Sequence, residues 1–229
     1  MQSASRTPEQ RQAGLITARI LLEIGAVMFR PEQPYKLTSG WHSPVYVDMR
    51  KVISFPRARR KIIEMAANCI MQNVGYESLD AVAGGETAGI PYAAWISEAL
   101  MTPMLYVRKK PKGFGRDAQI EGDLKEGSRV LLVEDLASDA ASKVNFVNAL
   151  RTAGAVVDHA FVLFFYGVFP TALKTLSELE IDLHFLANWW DVFDEAERGN
   201  YFDKKALDEV RNFLHDPLSW SKLHGGRDA

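Results

Sequence analysis

Between Leu79 and Leu186, short apolar runs alternate with stretches of helical spacing, and that order constrains the fold more than any other feature. Leu79–Ala83, Met104–Val107, Arg129–Val133, Val156–Phe165 and Ile181–Leu186 read as strands. Between them, Ile90–Leu100, Ala140–Ala153 and Thr171–Leu179 read as helices, the second stopped by Gly154. A strand–helix–strand succession is the pattern of a parallel sheet with covering helices, so an α/β core is expected, with Arg129–Val133 its clearest central strand. In such sheets ligands sit beyond the carboxyl ends of the strands, which singles out the loops after Ala83, Val107 and Val133.

The flanks differ from this core. Residues 8–29 carry apolar positions at helical spacing, with Thr7 as N-cap and Pro8 in the first turn. Ser39-Gly40 predicts a turn, Val45–Val47 a short strand, and Arg57–Asn73 a second helix ended by Gly75. From Asn188 onward the chain is rich in acids and Trp and predicts a helical tail. With 229 residues and no convincing linker, one domain is expected: an N-terminal part over about 1–75, an α/β core over about 76–187, and a tail over 188–229.

The loop after the central strand carries the strongest chemical signal. Glu134 and Asp135 follow an apolar strand, and their acceptor oxygens suit vicinal hydroxyls or a hydrated cation. Small residues from Ser138 to Ser142 (Ser138, Asp139, Ala140, Ala141, Ser142) then lead into a helix N-terminus, whose exposed N–H groups favour phosphate. The plainer alternative is an acidic turn before a helix capped by Ser138 or Asp139. A second signal follows Val107, where Arg108, Lys109, Lys110, Lys112 and Arg116 are interrupted by Pro111, Gly113 and Gly115. Concentrated cations on a glycine-rich loop suit a lid over anionic oxygens, against the alternative of a solvated loop.

Composition narrows the classes. A net charge of −2 argues against nucleic acid as the main partner. Cys69 stands alone, which excludes an intramolecular disulfide and fits a buried thiol in a reducing compartment. No apolar run reaches the ~18 residues of a membrane span. The polar start also lacks the order of a secretory signal, so a soluble, cytoplasmic protein is expected.

Four stretches together resemble the orotate phosphoribosyltransferase family of type I phosphoribosyltransferases. Residues 130–143 resemble its motif for 5-phosphoribosyl pyrophosphate (PRPP), and Leu37–Tyr46 its N-terminal substrate segment. Gly84–Pro91 resembles its loop ending in Gly-Ile-Pro, and Tyr106–Gly115 its basic catalytic loop. The tail with Asn188-Trp-Trp-Asp-Val is similar to one bacterial branch. The resemblance implies a type I core with an N-terminal hood and a helical tail. It implies transfer of phosphoribosyl from PRPP to orotate, giving orotidine 5′-monophosphate and pyrophosphate in pyrimidine biosynthesis. Lys109 and Asp135 are then the catalytic residues. PRPP falls to Arg108, Lys109, Lys112, Arg116, Glu134, Asp135, Ser138, Asp139, Ala140, Ala141 and Ser142, and orotate to Ser39, Tyr46 and Ser138. It also implies Mg²⁺ held mainly by substrate and water rather than by protein ligands. The partners expected are PRPP and orotate, with no nucleic acid or membrane, in a homodimer whose basic loop the resemblance implies acts in trans.

The chain also departs from the family pattern. Ala140-Ala141 replaces glycine in the phosphate loop, Ala88 and Thr38 stand where many relatives have Lys, and Phe114 takes the place of a lid histidine. The orotate-contacting Arg has no clear match around Tyr166-Gly167. These departures keep two alternatives open: transfer to another base, or a degenerate, nucleotide-responsive regulator. A nucleic-acid-binding protein using the basic loop ranks below both.

Overall fold

The structure is a computed structural model that describes residues 6–37, 39–113, 119–138, 141–169 and 171–226. In chain order the elements are α1 (Pro8–Glu23), β1 (Val27–Phe29), β2 (Tyr35–Lys36), β3 (His42–Ser43), β4 (Val45–Val47), a 3-10 turn (Met49–Ser54) and α2 (Pro56–Asn73). The core continues with β5 (Ala81–Gly85), α3 (Gly89–Leu100), β6 (Met104–Val107), β7 (Ile120–Glu121), β8 (Val130–Ala137), α4 (Ala141–Thr152), β9 (His159–Phe165), α5 (Thr171–Glu178) and β10 (Asp182–Asn188). The tail supplies α6 (Trp189–Arg198), α7 (Lys204–His215) and α8 (Pro217–Leu223). None of these helices is long and apolar enough to cross a membrane.

Two compact units emerge, one from Pro56–Phe165 and Pro170–Leu186, the other from Met1–Phe55, Tyr166–Phe169 and Ala187–Ala229, each as far as it is described. In the first, six strands lie in the order β10-β9-β8-β5-β6-β7. β9, β8, β5 and β6 run parallel, while β7 turns back antiparallel to β6. The expected α/β core with a mostly parallel sheet is therefore present. Leu132, Val162 and Ala83 pack with Phe146, Val147 and Leu150 of α4 and with Leu176 of α5 in one apolar cluster. Burying each such side chain stabilises the fold by roughly 1.5–3 kcal/mol, which is why these strands read so clearly as apolar runs.

The second unit is built around α1 and α6. Thr7 caps α1 through a reciprocal pair with Gln10, as its position before Pro8 predicted. Asn188 caps α6 in the same way, with Asp191 returning the bond to its backbone. Trp41 stacks on Phe169, and Tyr166 meets Trp189 edge to face.

Several expectations needed correction. The helix expected over 8–29 ends at Glu23, because Gly25 takes a left-handed φ of 66° and releases Val27 to pair with Val47. Ala26, Val27 and Met28 had matched the helical period only by coincidence. β7, with two residues, was too short to show periodicity and was not expected. Cys69, expected to be buried, is half-buried on α2, where the Asn73 amide donates to its carbonyl at 2.6 Å. The largest correction concerns the central strand, expected to end at Val133: it continues to Ala137, pairing Glu134 with Val162 and Leu136 with Phe164.

Candidate functional site

Glu134 and Asp135 thus lie inside a strand rather than in the loop after it. Consecutive strand residues alternate in direction, yet the two carboxylates stay close enough for Glu134 to raise the proton affinity of Asp135. Glu134 is buried and Asp135 half-buried. The Glu134 side chain lies over Gly85 of the neighbouring strand, where a Cβ would come within 2.9 Å of its Cγ. Gly89 of the Gly-Ile-Pro segment meets the same strand, since a Cβ there would lie 2.4 Å from the Val133 carbonyl oxygen. Glycine at these two positions lets β5 and the start of α3 close on the acidic strand.

Ser142 and Lys143, in the first turn of α4, both reach Glu134. The Ser142 hydroxyl donates to the two carboxylate oxygens at 3.3 and 3.1 Å. Lys143 Nζ forms an ion pair with Glu134 Oε2 and donates to the Leu136 carbonyl at 2.8 Å. Its side chain is only 3% exposed. Burial pushes the Asp135 carboxyl above its ordinary value, the Glu134 carboxylate adds to that, and Lys143 opposes it. Ser138 is half-buried just past β8. Ala141 opens α4 with helical backbone, so its N–H belongs to the free donors of a helix start. Asp139 and Ala140 lie outside the described residues.

The basic segment is the connection of the β6–β7 hairpin. Its stem is tied down at both sides: Gln119 accepts from the Arg108 N–H at 2.8 Å and returns a side-chain bond at 3.0 Å. The Lys109 N–H donates to Glu86 Oε2 at 2.7 Å, and Asn145 of α4 donates to the Lys109 carbonyl at 3.2 Å. Asn145 therefore links the stem to the helix that follows the acidic strand. Arg108 turns to Glu121 at 3.4 Å, while Lys109, Lys110 and Lys112 are exposed. Arg116 and Phe114 lie outside the described residues. At the start of α2, Arg59 lies 4.2 Å over the Trp95 ring, while Lys61 pairs with Glu64 at the surface.

The two remaining candidates belong to the other unit. Ser39 sits half-buried in the β2–β3 turn, where Gly40 takes a φ of 87° as a turn requires. Tyr46, on β4, places its ring 5.2 Å from that of Tyr35. His42, on β3, is engaged by the tail: its Nδ1 lies 2.7 Å from the His224 carbonyl. At the position lacking an arginine, Tyr166 is buried and shares a 2.6 Å hydrogen bond with Ser43. Burial pushes its hydroxyl up, so it is a neutral hydrogen-bonding group.

Sequence reasoning missed Lys143, Glu86, Asn145 and Gln119. Lys143 stood in the quoted segment, yet a cation in a helix's first turn reads as surface. Glu86 and Asn145 act through single polar bonds that leave no periodic signal.

An acidic strand followed by a helix start, beside a cation-rich segment on a mostly parallel sheet, is the arrangement that the resemblance to type I phosphoribosyltransferases implies. No family model matches the chain, but curated relatives do. It is 51% identical to the orotate phosphoribosyltransferase of Ruegeria sp. (strain TM1040) over 96% of this chain and 97% of the relative. It is 50% identical to that of Roseobacter denitrificans over 96% of this chain and 98% of the relative. Among solved structures, the orotate phosphoribosyltransferase of Aeropyrum pernix superposes with a TM-score of 0.68 at 28% identity, covering 79% of this chain and 99% of that one. Leishmania donovani UMP synthase does so with a TM-score of 0.74 at 27% identity, over 88% of this chain and 42% of that one. The chain belongs to the orotate phosphoribosyltransferase family, enzymes of the glycosyltransferase type in pyrimidine biosynthesis.

Proposed function

We propose that this enzyme joins orotate to PRPP through the residues on and beside β8. The observation that carries the reading is the pair Glu134-Asp135 running through Ser138 into α4, with the Lys109 backbone tied to Glu86 and Asn145. In the transfer, the orotate ring nitrogen, arriving already deprotonated, bonds to the anomeric carbon as that carbon's bond to pyrophosphate oxygen breaks and the electron pair leaves with pyrophosphate. The ribose becomes oxocarbenium-like and the leaving group gathers charge, so the protein's work is chiefly electrostatic. Asp135, with Glu134, takes the ribose hydroxyls. The segment Ser138, Asp139, Ala140, Ala141 and Ser142 receives the 5′-phosphate. Arg108, Lys109, Lys112 and Arg116 serve the pyrophosphate, with Lys109 the catalytic cation. For orotate, the family resemblance supports Ser39, Tyr46 and Ser138.

Among the described residues no three metal-ligating side chains converge. A hard, well-hydrated cation bound through substrate phosphates needs only one or two carboxylates, and the half-buried Asp135 offers one. Mg²⁺ would be held there through water and substrate oxygens and would supply charge neutralisation to the departing pyrophosphate. Both units form one phosphoribosyltransferase domain over 1–229 in this reading, working in the cytoplasm.

Offering PRPP and Mg²⁺ with orotate, uracil, adenine and hypoxanthine in parallel tests the substrate. Loss of orotate alone is expected, and turnover of another base in its place would overturn the reading. We also infer a homodimer in which Lys109 serves the neighbouring subunit. Asp135→Asn and Lys109→Ala should each be nearly inactive. With free subunit exchange, half the dimers formed from an equal mixture carry one intact site, so activity recovers to roughly a quarter of wild type. No recovery, once tagged co-purification shows that subunits have exchanged, would mean that the loop acts within its own chain.

A further inference from the structure

A lysine in the first turn of a helix that is to receive phosphate would ordinarily be taken for a phosphate ligand. Lys143 does not have that geometry. Its stem is buried, and its ammonium is spent on Glu134 and the Leu136 carbonyl. A cation is also disfavoured at a helix N-terminus unless a nearby anion compensates it, and Glu134 is that anion. Glu134 in turn accepts from Ser142 and rests over Gly85, so its carboxylate is fixed from three sides. The Leu136 carbonyl sits on β8 itself, so one side chain ties the helix, the strand and the acid together.

Resting on the reading of β8 as the PRPP strand, we propose that Lys143 is a positioning residue, which sets the Glu134 carboxylate for the ribose hydroxyls without touching substrate. Two consequences distinguish this role from its competitors. Lys143 acts on the sugar rather than on phosphate, and it acts only through Glu134.

The test is direct binding, which needs no turnover: PRPP with Mg²⁺ by calorimetry, and inorganic phosphate by ligand-observed NMR, on wild type and variants. Lys143→Met keeps the length of the stem and removes the charge. It should weaken PRPP about tenfold or more while leaving phosphate within about twofold. Unchanged PRPP affinity overturns the proposal. So does an equal loss of phosphate affinity, which would mark Lys143 as a phosphate ligand or the loop as collapsed. Glu134→Gln/Lys143→Met should bind PRPP within about twofold of Glu134→Gln alone, because the second change removes nothing further. An additional tenfold loss would show that Lys143 acts otherwise than through Glu134. Should Lys143→Met fail to fold, the comparison of this double variant, which buries no lone charge, with Glu134→Gln carries the test. If wild type binds PRPP but leaves orotate unchanged, the assigned transfer fails while the binding series still decides on Lys143. If wild type binds no PRPP, both fall together.

Discussion

Two acids in this chain, one fully buried and one half-buried, are held in opposite ways. Asp191, on α6, is fully buried and takes a salt bridge from Arg6 at 2.6 Å and another from Arg11 at 2.7 Å, besides capping its own helix. Every oxygen has a permanent partner, and the group fastens the N-terminal helix to α6. On β8 the balance is incomplete. Glu134 has Lys143 and Ser142, whereas Asp135 is displaced upward by burial and by its acidic neighbour. An acid saturated by fixed partners belongs to the architecture. One left with a raised proton affinity stores an electrostatic cost that a ligand can relieve.

The comparison makes its largest prediction at Asp135. Asp135→Asn should lower kcat/KM by on the order of 10³, measured with PRPP and orotate. The same change should raise the melting temperature of the ligand-free protein at neutral pH. A carboxyl whose folded pKa is raised contributes stability that is complete below its unfolded value and is lost as pH rises through the folded one. The variant's advantage should therefore vanish below about pH 4. A variant that melts lower than wild type at neutral pH would place Asp135 with Asp191 as architecture.

Asp191→Ala should do the reverse. Removing it leaves Arg6 and Arg11 without their shared partner, which costs about 3–5 kcal/mol in chemical denaturation. The kcat/KM of the folded fraction should stay within about twofold of wild type. A loss of activity beyond unfolding would break the contrast between the two acids.

Gly85→Ala probes the boundary between them. The added methyl meets the Phe146 ring at 2.7 Å and Glu134 Cγ at 2.9 Å. Overpacking of this kind costs about 1–3 kcal/mol, and the shift of Glu134 should lower PRPP affinity as well. Full PRPP affinity in a destabilised variant would show that Glu134 tolerates displacement.

The smallest effect belongs to Asp80, an exposed acid paired with Arg129 at 2.8 Å. Hydrogen bonds from Arg129 hold its carboxyl well below the usual range, so its contribution is present at neutral pH and is lost as pH falls below about 4. Solvent screens the pair, and Asp80→Asn should shift the melting temperature far less than Asp191→Ala. A comparable shift would show that exposure, rather than saturation by partners, fails to separate these acids.

The alternation of strands and helices from Ala81 to Asn188 was legible because buried strands need continuous apolar residues and helices need the 3.6 period, both of which are local. The order of the four motifs was equally legible, since each is contiguous. Capping of α1 by Thr7 followed from its place directly before Pro8. What the chain's pattern could not show depended on partners distant in sequence or on which way a side chain turns. β8 runs on through Glu134 and Asp135 because β9 offers it partners, a matter of pairing rather than of apolar content. Asp191 meets Arg6 and Arg11 across about 180 residues. Nothing in the type or position of Lys143 marked it, and only packing turned it inward onto Glu134. Local periodicity determined where the acids and cations lie along the chain. Tertiary structure decided which of them are already neutralised, because the cost of a buried charge depends on what surrounds it and not on what precedes it.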